Sequence, residues 1–196
     1  AEKPFVGTCN IYDPVSGDHI IKIVNDGQTI AVTFMDYGEF EGEILSETKS
    51  SDGKDNIYKL NNITANKEAN ISVKEAIVRI PRNVGKNGIV GTWGASLLYI
   101  NGSSSRENYS VQDMYWIWNI TDDGTVITIG GQSDRSKNPI IYDVDKDFAE
   151  DFKPDQYQRL LEGKWTEVAS GVYRLRYCLL YTSPTHETVL DLVCRL

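Results

Sequence analysis

Gly88-Ile89-Val90-Gly91-Thr92-Trp93 is the stretch whose reading decides the fold. An apolar pair leads into Gly-Thr-Trp, and an extended run continues through Tyr99-Ile100. The pattern predicts the first strand of a β-barrel or sandwich. The glycine lets the backbone bend tightly into the strand, and the indole is large enough to plug the base of a core. Just upstream, Pro81 to Asn87 is rich in turn residues and no apolar period crosses it. It marks the expected boundary between a small antiparallel β domain over 1–82 and a longer β domain over 88–196, with a single continuous β domain as the alternative.

Outward from this stretch the chain keeps the same character. In the first half, residues 5–12 form an expected strand ended by Asp13-Pro14. His19 to Val24 and Thr29 to Met35 flank Asn25-Asp26-Gly27-Gln28, a strong hairpin signal. Phe40 to Ser46, Asn56 to Leu60 and Ala76 to Ile80 complete a meander of short strands. In the second half, Met114, Trp116, Trp118 and Ile120 alternate along one strand, and Thr121 to Gly124 turns the chain into Thr125 to Ile129. Ile140 to Val144, Trp165 to Val168, Val172 to Tyr181 and Thr188 to Leu196 are further expected strands. Tyr173, Leu175, Tyr177, Leu179 and Tyr181 alternate as in a strand with one wet face. One helix is expected over 154–162: Pro154 suits a first turn, Asp155 the positive end of the dipole, and Gly163 a stop. The fold class is therefore all-β, an antiparallel meander barrel or sandwich with one short helix.

Two segments of the first half echo the second, in the same order. Phe5-Val6-Gly7-Thr8-Cys9 resembles Ile89-Val90-Gly91-Thr92-Trp93, and Ile23 to Ile30 resembles Asn119 to Val126. The first half is then a shorter copy of the second; Gly-Thr starts and Asp-Gly turns are also common in unrelated antiparallel proteins. Gly91-Thr92-Trp93, the Trp-rich next strand, the Asp122-Asp123-Gly124-Thr125 turn and the terminal meander together resemble lipocalin-like or calycin-like domains of the exported Bacteroidetes type. That resemblance implies a barrel with Trp93 at its closed base, Arg195 as a candidate arginine beside it, and a ligand entering from the other end.

Composition narrows the function. The net charge of −8, with no basic run, argues against a nucleic-acid partner. No apolar stretch reaches the ~18–20 residues of a membrane-spanning helix. The start at Ala1-Glu2-Lys3-Pro4 fits a processed, exported chain or a trimmed one. Asn-x-Ser/Thr triplets at Asn62, Asn70, Asn101, Asn108 and Asn119 fit chance in a chain rich in these residues. Cys9, Cys178 and Cys194 have no metal spacing; strand alternation sets Cys194 on a core face and Cys178 on the opposite kind, so buried free thiols are expected.

Catalytic signals are sparse. His19 and His186 fall at strand ends or turns, and the acidic run Asp143 to Asp147 has Phe148 and Pro154 where a calcium loop needs Gly and Glu. No cofactor motif occurs, and the expected protein is a binding protein, not an enzyme. The aromatic residues are the candidate ligand-binding set: Trp116, Trp118, Tyr173 and Tyr177. Facing inward they would line a cavity for a small hydrophobic molecule; facing outward they would stack on a glycan or a partner; packed together they would simply fill the core.

Overall fold

The computed structural model describes residues 5–34, 38–65, 71–82, 84, 88–101, 110–134, 159–178 and 187–195. Alternation with a period of two sets the inward face of its strands. β1 (Gly7–Tyr12) buries Cys9 and Ile11, β2 (His19–Asn25) buries Ile21, Ile23 and Asn25, and β3 (Thr29–Phe34) buries Ile30 and Val32. β4 (Gly38–Lys49), β5 (Asp55–Ala65) and β6 (Ile71–Pro81) complete the first half. β7 (Gly91–Asn101), β8 (Ser110–Ile120), β9 (Thr125–Asp134), β10 (Arg159–Ala169), β11 (Val172–Cys178) and β12 (Glu187–Arg195) form the second.

Among the described residues these twelve strands make one closed antiparallel barrel, each paired with its neighbours in the chain and β1 paired with β12. Closure leaves no open edge to be covered. The outward face carries Glu39, Glu41, Glu43, Lys59, Lys164 and Arg176, all exposed, whereas barrels that cross membranes turn apolar residues outward. No helix among the described residues is long and apolar enough to cross a membrane. A lipocalin barrel has eight strands; here each half supplies six of the twelve in the ring.

Two expectations need correction. The helix over 154–162 does not form where it is described, since Arg159 to Glu162 open β10 in register with β9; residues 154–158 lie outside the described part. Gly163 is no helix stop but sits inside β10, where a Cβ would run into the Arg176 carbonyl and lie 3.0 Å from Tyr177 Cδ1. It is glycine because two strands approach too closely for a side chain. The cysteines are not all free thiols: Cys9 and Cys194, directly opposite each other in the β1–β12 pair, form a disulfide. Cys178, paired with Glu187, ends β11. The expected strand over Ile140 to Val144 lies outside the described residues.

The expected boundary at 82–88 is the connection from β6 to β7. Those two strands are hydrogen-bonded neighbours, with Arg79 opposite Gly94, so the halves meet at two seams, β6–β7 and β12–β1. The register shows that the halves repeat. Gly7 pairs with Asn25 as Gly91 pairs with Ile120, both glycines having positive φ (156° and 139°). Ile30 faces Gly42 as Val126 faces Gly163. Ile44 N–H donates to Gln28 O at 2.9 Å, and Trp165 N–H to Gly124 O at 2.9 Å. A Cβ on Gly42 would lie 3.1 Å from Asn61 O and 3.1 Å from Ile63 Cγ1, matching Arg176 and Tyr177 around Gly163. Stepping back one residue from each carbonyl, Tyr58-Lys59-Leu60 falls on Tyr173-Arg174-Leu175, with the tyrosines and leucines buried in both. β1–β6 and β7–β12 are thus two copies of one six-stranded unit.

The two ends of the ring differ. At the near end, where β1 begins and β12 finishes, strands are joined over 26–28, 50–54, 82–90, 121–124 and 170–171. The far-end connections of the second copy, 102–109, 135–158 and 179–186, lie outside the described residues. The near end is sealed. Phe5 and Ile89, in matching places before β1 and β7, are buried, and their carbonyls accept from Asn25 Nδ2 (2.9 Å) and Trp93 Nε1 (2.8 Å). Phe5 and Trp93 meet edge-to-face at 6.4 Å, although β1 and β7 lie opposite each other in the ring. Their contact bridges the two walls.

Each seam has its own pin. The disulfide crosses β1–β12, while at β6–β7 the buried Asp55 carboxylate accepts from Arg79 Nη2 (2.7 Å) and Nε (2.9 Å) and from Thr92 N–H (3.1 Å), joining β5, β6 and β7. Burial pushes the Asp55 carboxyl above its usual range despite the guanidinium. Because both seams are extended pairings, a chain nicked between residues 82 and 88 is expected to stay closed. It should elute from a sizing column with the intact protein, show both pieces joined on a non-reducing gel, and release them after reduction and denaturation. Separation of a folded 88–196 piece on reduction alone, without denaturant, would contradict the two-seam barrel.

Candidate functional site

The repeat separates side chains that build the scaffold from those peculiar to one copy. Follow one row across the sheet. In the first copy Cys9 faces Ile23, and Ile23 faces Val32; in the second Trp93 faces Trp118, and Trp118 faces Thr128. Ile63 beside Gly42 corresponds to Tyr177 beside Gly163. Three inward positions that are aliphatic in the first copy, Ile23, Val32 and Ile63, therefore become Trp118, Thr128 and Tyr177 in the second. Each of the three brings a polar hydrogen into an apolar interior.

They converge. Thr128 Oγ1 and Tyr177 Oη lie 2.6 Å apart. Burial drives the Tyr177 phenol well above its ordinary range, while the Thr128 hydroxyl and the Trp118 indole N–H act on its oxygen in the opposite sense. Burial prevails, so Tyr177 is a neutral phenol, a hydrogen-bond donor and acceptor rather than a base. Two hydroxyls carry two hydrogens, and their mutual bond uses one; the other is a donor for a third group.

Of the four expected ligand-binding residues, Trp118 (1% exposed), Tyr173 (8%) and Tyr177 (0%) point into the core. Trp118 and Tyr177 share the polar cluster just described. Tyr173 does not join it: it packs edge-to-face on Trp165 at 6.0 Å, and its counterpart Tyr58 is also buried, which marks it as scaffold. Trp116 lies two residues before Trp118 in β8, opposite Ala95 and Gly130; its side chain is outside the described part. None of the three described aromatics offers an exposed stacking face. Thr128 escaped the sequence reading because a threonine in a strand is unremarkable; the one available signal was its place two residues after the inward Val126.

His19 is exposed, with Nδ1 2.8 Å from Asn10 Oδ1, and His186 lies outside the described residues, as does the acidic run over 143–147. Among the described residues no group of three or more His, Cys, Asp or Glu side chains is placed to hold a metal ion. Comparison of the chain with protein-family models, with characterised proteins and with solved structures gives no match.

The cluster makes a stability prediction. Tyr177→Phe and Thr128→Val each strand a buried polar partner and should cost about 1–3 kcal/mol. The double variant removes both hydroxyls and leaves neither stranded, so its loss should fall short of the sum by about 0.5–3 kcal/mol. Urea unfolding of the four proteins of the cycle measures this. Simple additivity would mean that the two hydroxyls are not coupled.

Proposed function

We propose that the protein is a binding protein, not an enzyme, that takes a small, largely apolar molecule with one hydrogen-bonding group into the barrel through its far end. The observation that carries this reading is the buried Thr128–Tyr177 hydroxyl pair, with Trp118 acting on the Tyr177 oxygen, at three positions that are aliphatic in the other copy. Buried hydroxyls cost free energy unless bonded, and this pair carries one hydrogen more than its mutual bond uses. A ligand pocket needs few polar groups, well placed in an apolar lining, to fix orientation. The packing of Phe5, Ile89 and Trp93 at the near end favours the far end as the entrance. The likeness of Gly91-Thr92-Trp93 to lipocalins agrees with a binding barrel closed at this tryptophan. The Cys9–Cys194 disulfide fits an oxidising, exported setting.

Titration with the uncharged apolar fluorophore N-phenyl-1-naphthylamine tests the proposal. Uptake should saturate at one probe per chain and quench tryptophan emission. The Thr128→Val/Tyr177→Phe double variant should bind at least about fivefold more weakly, a loss on the scale of one hydrogen bond. Trp93→Ala, at the sealed end, should lose roughly 3–5 kcal/mol of stability while the remaining folded protein still takes up probe. Uptake that never saturates, or that ignores the double variant, would refute an interior site.

A further inference from the structure

A second candidate site lies outside the barrel, at its near end. The Asp52–Asp55 side of the β4–β5 turn and the Asn119–Asp122 side of the β8–β9 turn enclose a groove of about 390 Å³ across the start of β7. Its floor is rigid. Asp55 is fixed by Arg79 and by Thr92 N–H, and a Cβ on Gly91 would lie 2.7 Å from both Asp55 Oδ1 and Pro81 Cβ, so strand and carboxylate are in contact. One wall is a bonded turn: Ser50 N–H donates to Asp55 O (3.0 Å), Gly53 N–H to Ser50 O (2.9 Å), and Asp52 Oδ1 accepts from Ser50 Oγ (2.6 Å) and Lys54 N–H (2.9 Å). On the other wall Asn119 Oδ1 accepts from Thr92 Oγ1 at 3.3 Å.

The repeat shows that the fold does not require this groove. At the other seam the β10–β11 turn is only residues 170–171, so no counterpart of the Asp52–Lys54 wall exists, and the place of Trp93 is taken by the disulfide-bonded Cys9. The longer turn, its Asp52 and the buried Asp55–Arg79 anchor belong to one copy alone.

The chemistry of the walls restricts the ligand. Burial raises the Asp52 carboxyl, but the Ser50 hydroxyl and the Lys54 amide outweigh it, so Asp52 stays ionised, an acceptor. The Asp122 carboxylate is another. The Asn119 carboxamide N–H₂ and the Lys54 ammonium are donors, and the half-buried Val90 gives an apolar contact between them. An amine would satisfy only the acceptors and a small carboxylate only the donors. A neutral ring with several hydroxyls satisfies both, since each hydroxyl donates and accepts. We propose that this groove binds a saccharide unit, with ring hydroxyls donating to Asp52 and Asp122 and accepting from Asn119 and Lys54. The site is separate from the barrel interior and stands or falls independently of the interior reading.

The test is amide chemical-shift mapping on the full chain. Glucose, galactose, mannose, xylose, fucose and N-acetylglucosamine are each titrated to about 50 mM, enough to reveal millimolar binding; 1,4-diaminobutane and succinate serve as cationic and anionic controls. At least one sugar should give saturable shifts confined to residues 52–55, 90–92 and 119–122. The Lys54→Ala/Asp122→Ala variant changes two side chains outside the bonded turn network, and should weaken that sugar at least about tenfold with an unchanged spectrum elsewhere. Four results would each overturn the proposal: no shifts with any of the six sugars, shifts centred away from the groove, equal affinity in the variant, or a control ion binding there as well as the best sugar.

Discussion

The first strand pairs with the last, Thr8 to Tyr12 against Asp191 to Arg195, and the rest of the molecule depends on that closure. Without it the sheet would end in two unpaired edges, and the inward row of Cys9 and Ile11 would face no opposite wall. The pairing joins the extremes of the chain, so its entropic cost is that of the longest loop available. A disulfide at the same pair of residues lowers that cost by keeping the strands together in the unfolded chain. At the second seam the covalent link is replaced by electrostatics, with Asp55 gathering Arg79 and Thr92 N–H from two neighbouring strands. A buried ion pair adds little net stability but is costly to break, which suits a device that fixes register.

Twelve strands enclose more room than the eight that side chains fill comfortably. Large residues take up part of it: Trp93 and Phe5 touch across the ring at the near end, and Tyr58, Tyr177 and Trp118 are almost wholly buried in the interior. The two copies share the scaffold elements, the glycines at strand starts and close approaches and the Tyr-x-Leu of β5 and β11, and differ where chemistry is concentrated. The second copy holds the Thr128–Tyr177 hydroxyl pair; the first supplies the long turn of the near-end groove. Duplication gives a closed frame in which one copy can keep the packing while the other changes.

Strand positions were legible because alternation and Asn/Asp/Gly turns are local signals. The repeat was half legible. Gly-Thr at Gly7 and Gly91 and the Asp-containing turns stood out, but Glu41-Gly42-Glu43 against Glu162-Gly163-Lys164 did not, because unequal connections change the spacing between matched residues from strand to strand. Pairings across the seams were not legible at all, which is why Cys9–Cys194 was missed: only β12 meeting β1 brings the two thiols together. Gly163 misled in the other direction, since a glycine before Trp165 and after a Pro-Asp pair imitates a helix end when the neighbouring Arg176 carbonyl is unseen. Of the aromatic residues expected at a site, Trp118 and Tyr177 were recognisable from alternation, whereas their partner Thr128 needed the register.

Equivalence of the two seams is the central claim, and a circular permutant tests it most directly. Residue 196 is joined to residue 1 by a short Gly/Ser linker, and new termini are opened between residues 84 and 88, moving the chain ends from one seam to the other. If the seams are equivalent, the permutant forms the Cys9–Cys194 bond, shows the near-ultraviolet circular dichroism of the parent, and unfolds in one cooperative step. A permutant that is soluble but lacks fixed tertiary structure, or that unfolds in two separate steps, would show that the halves are not two copies closing one ring.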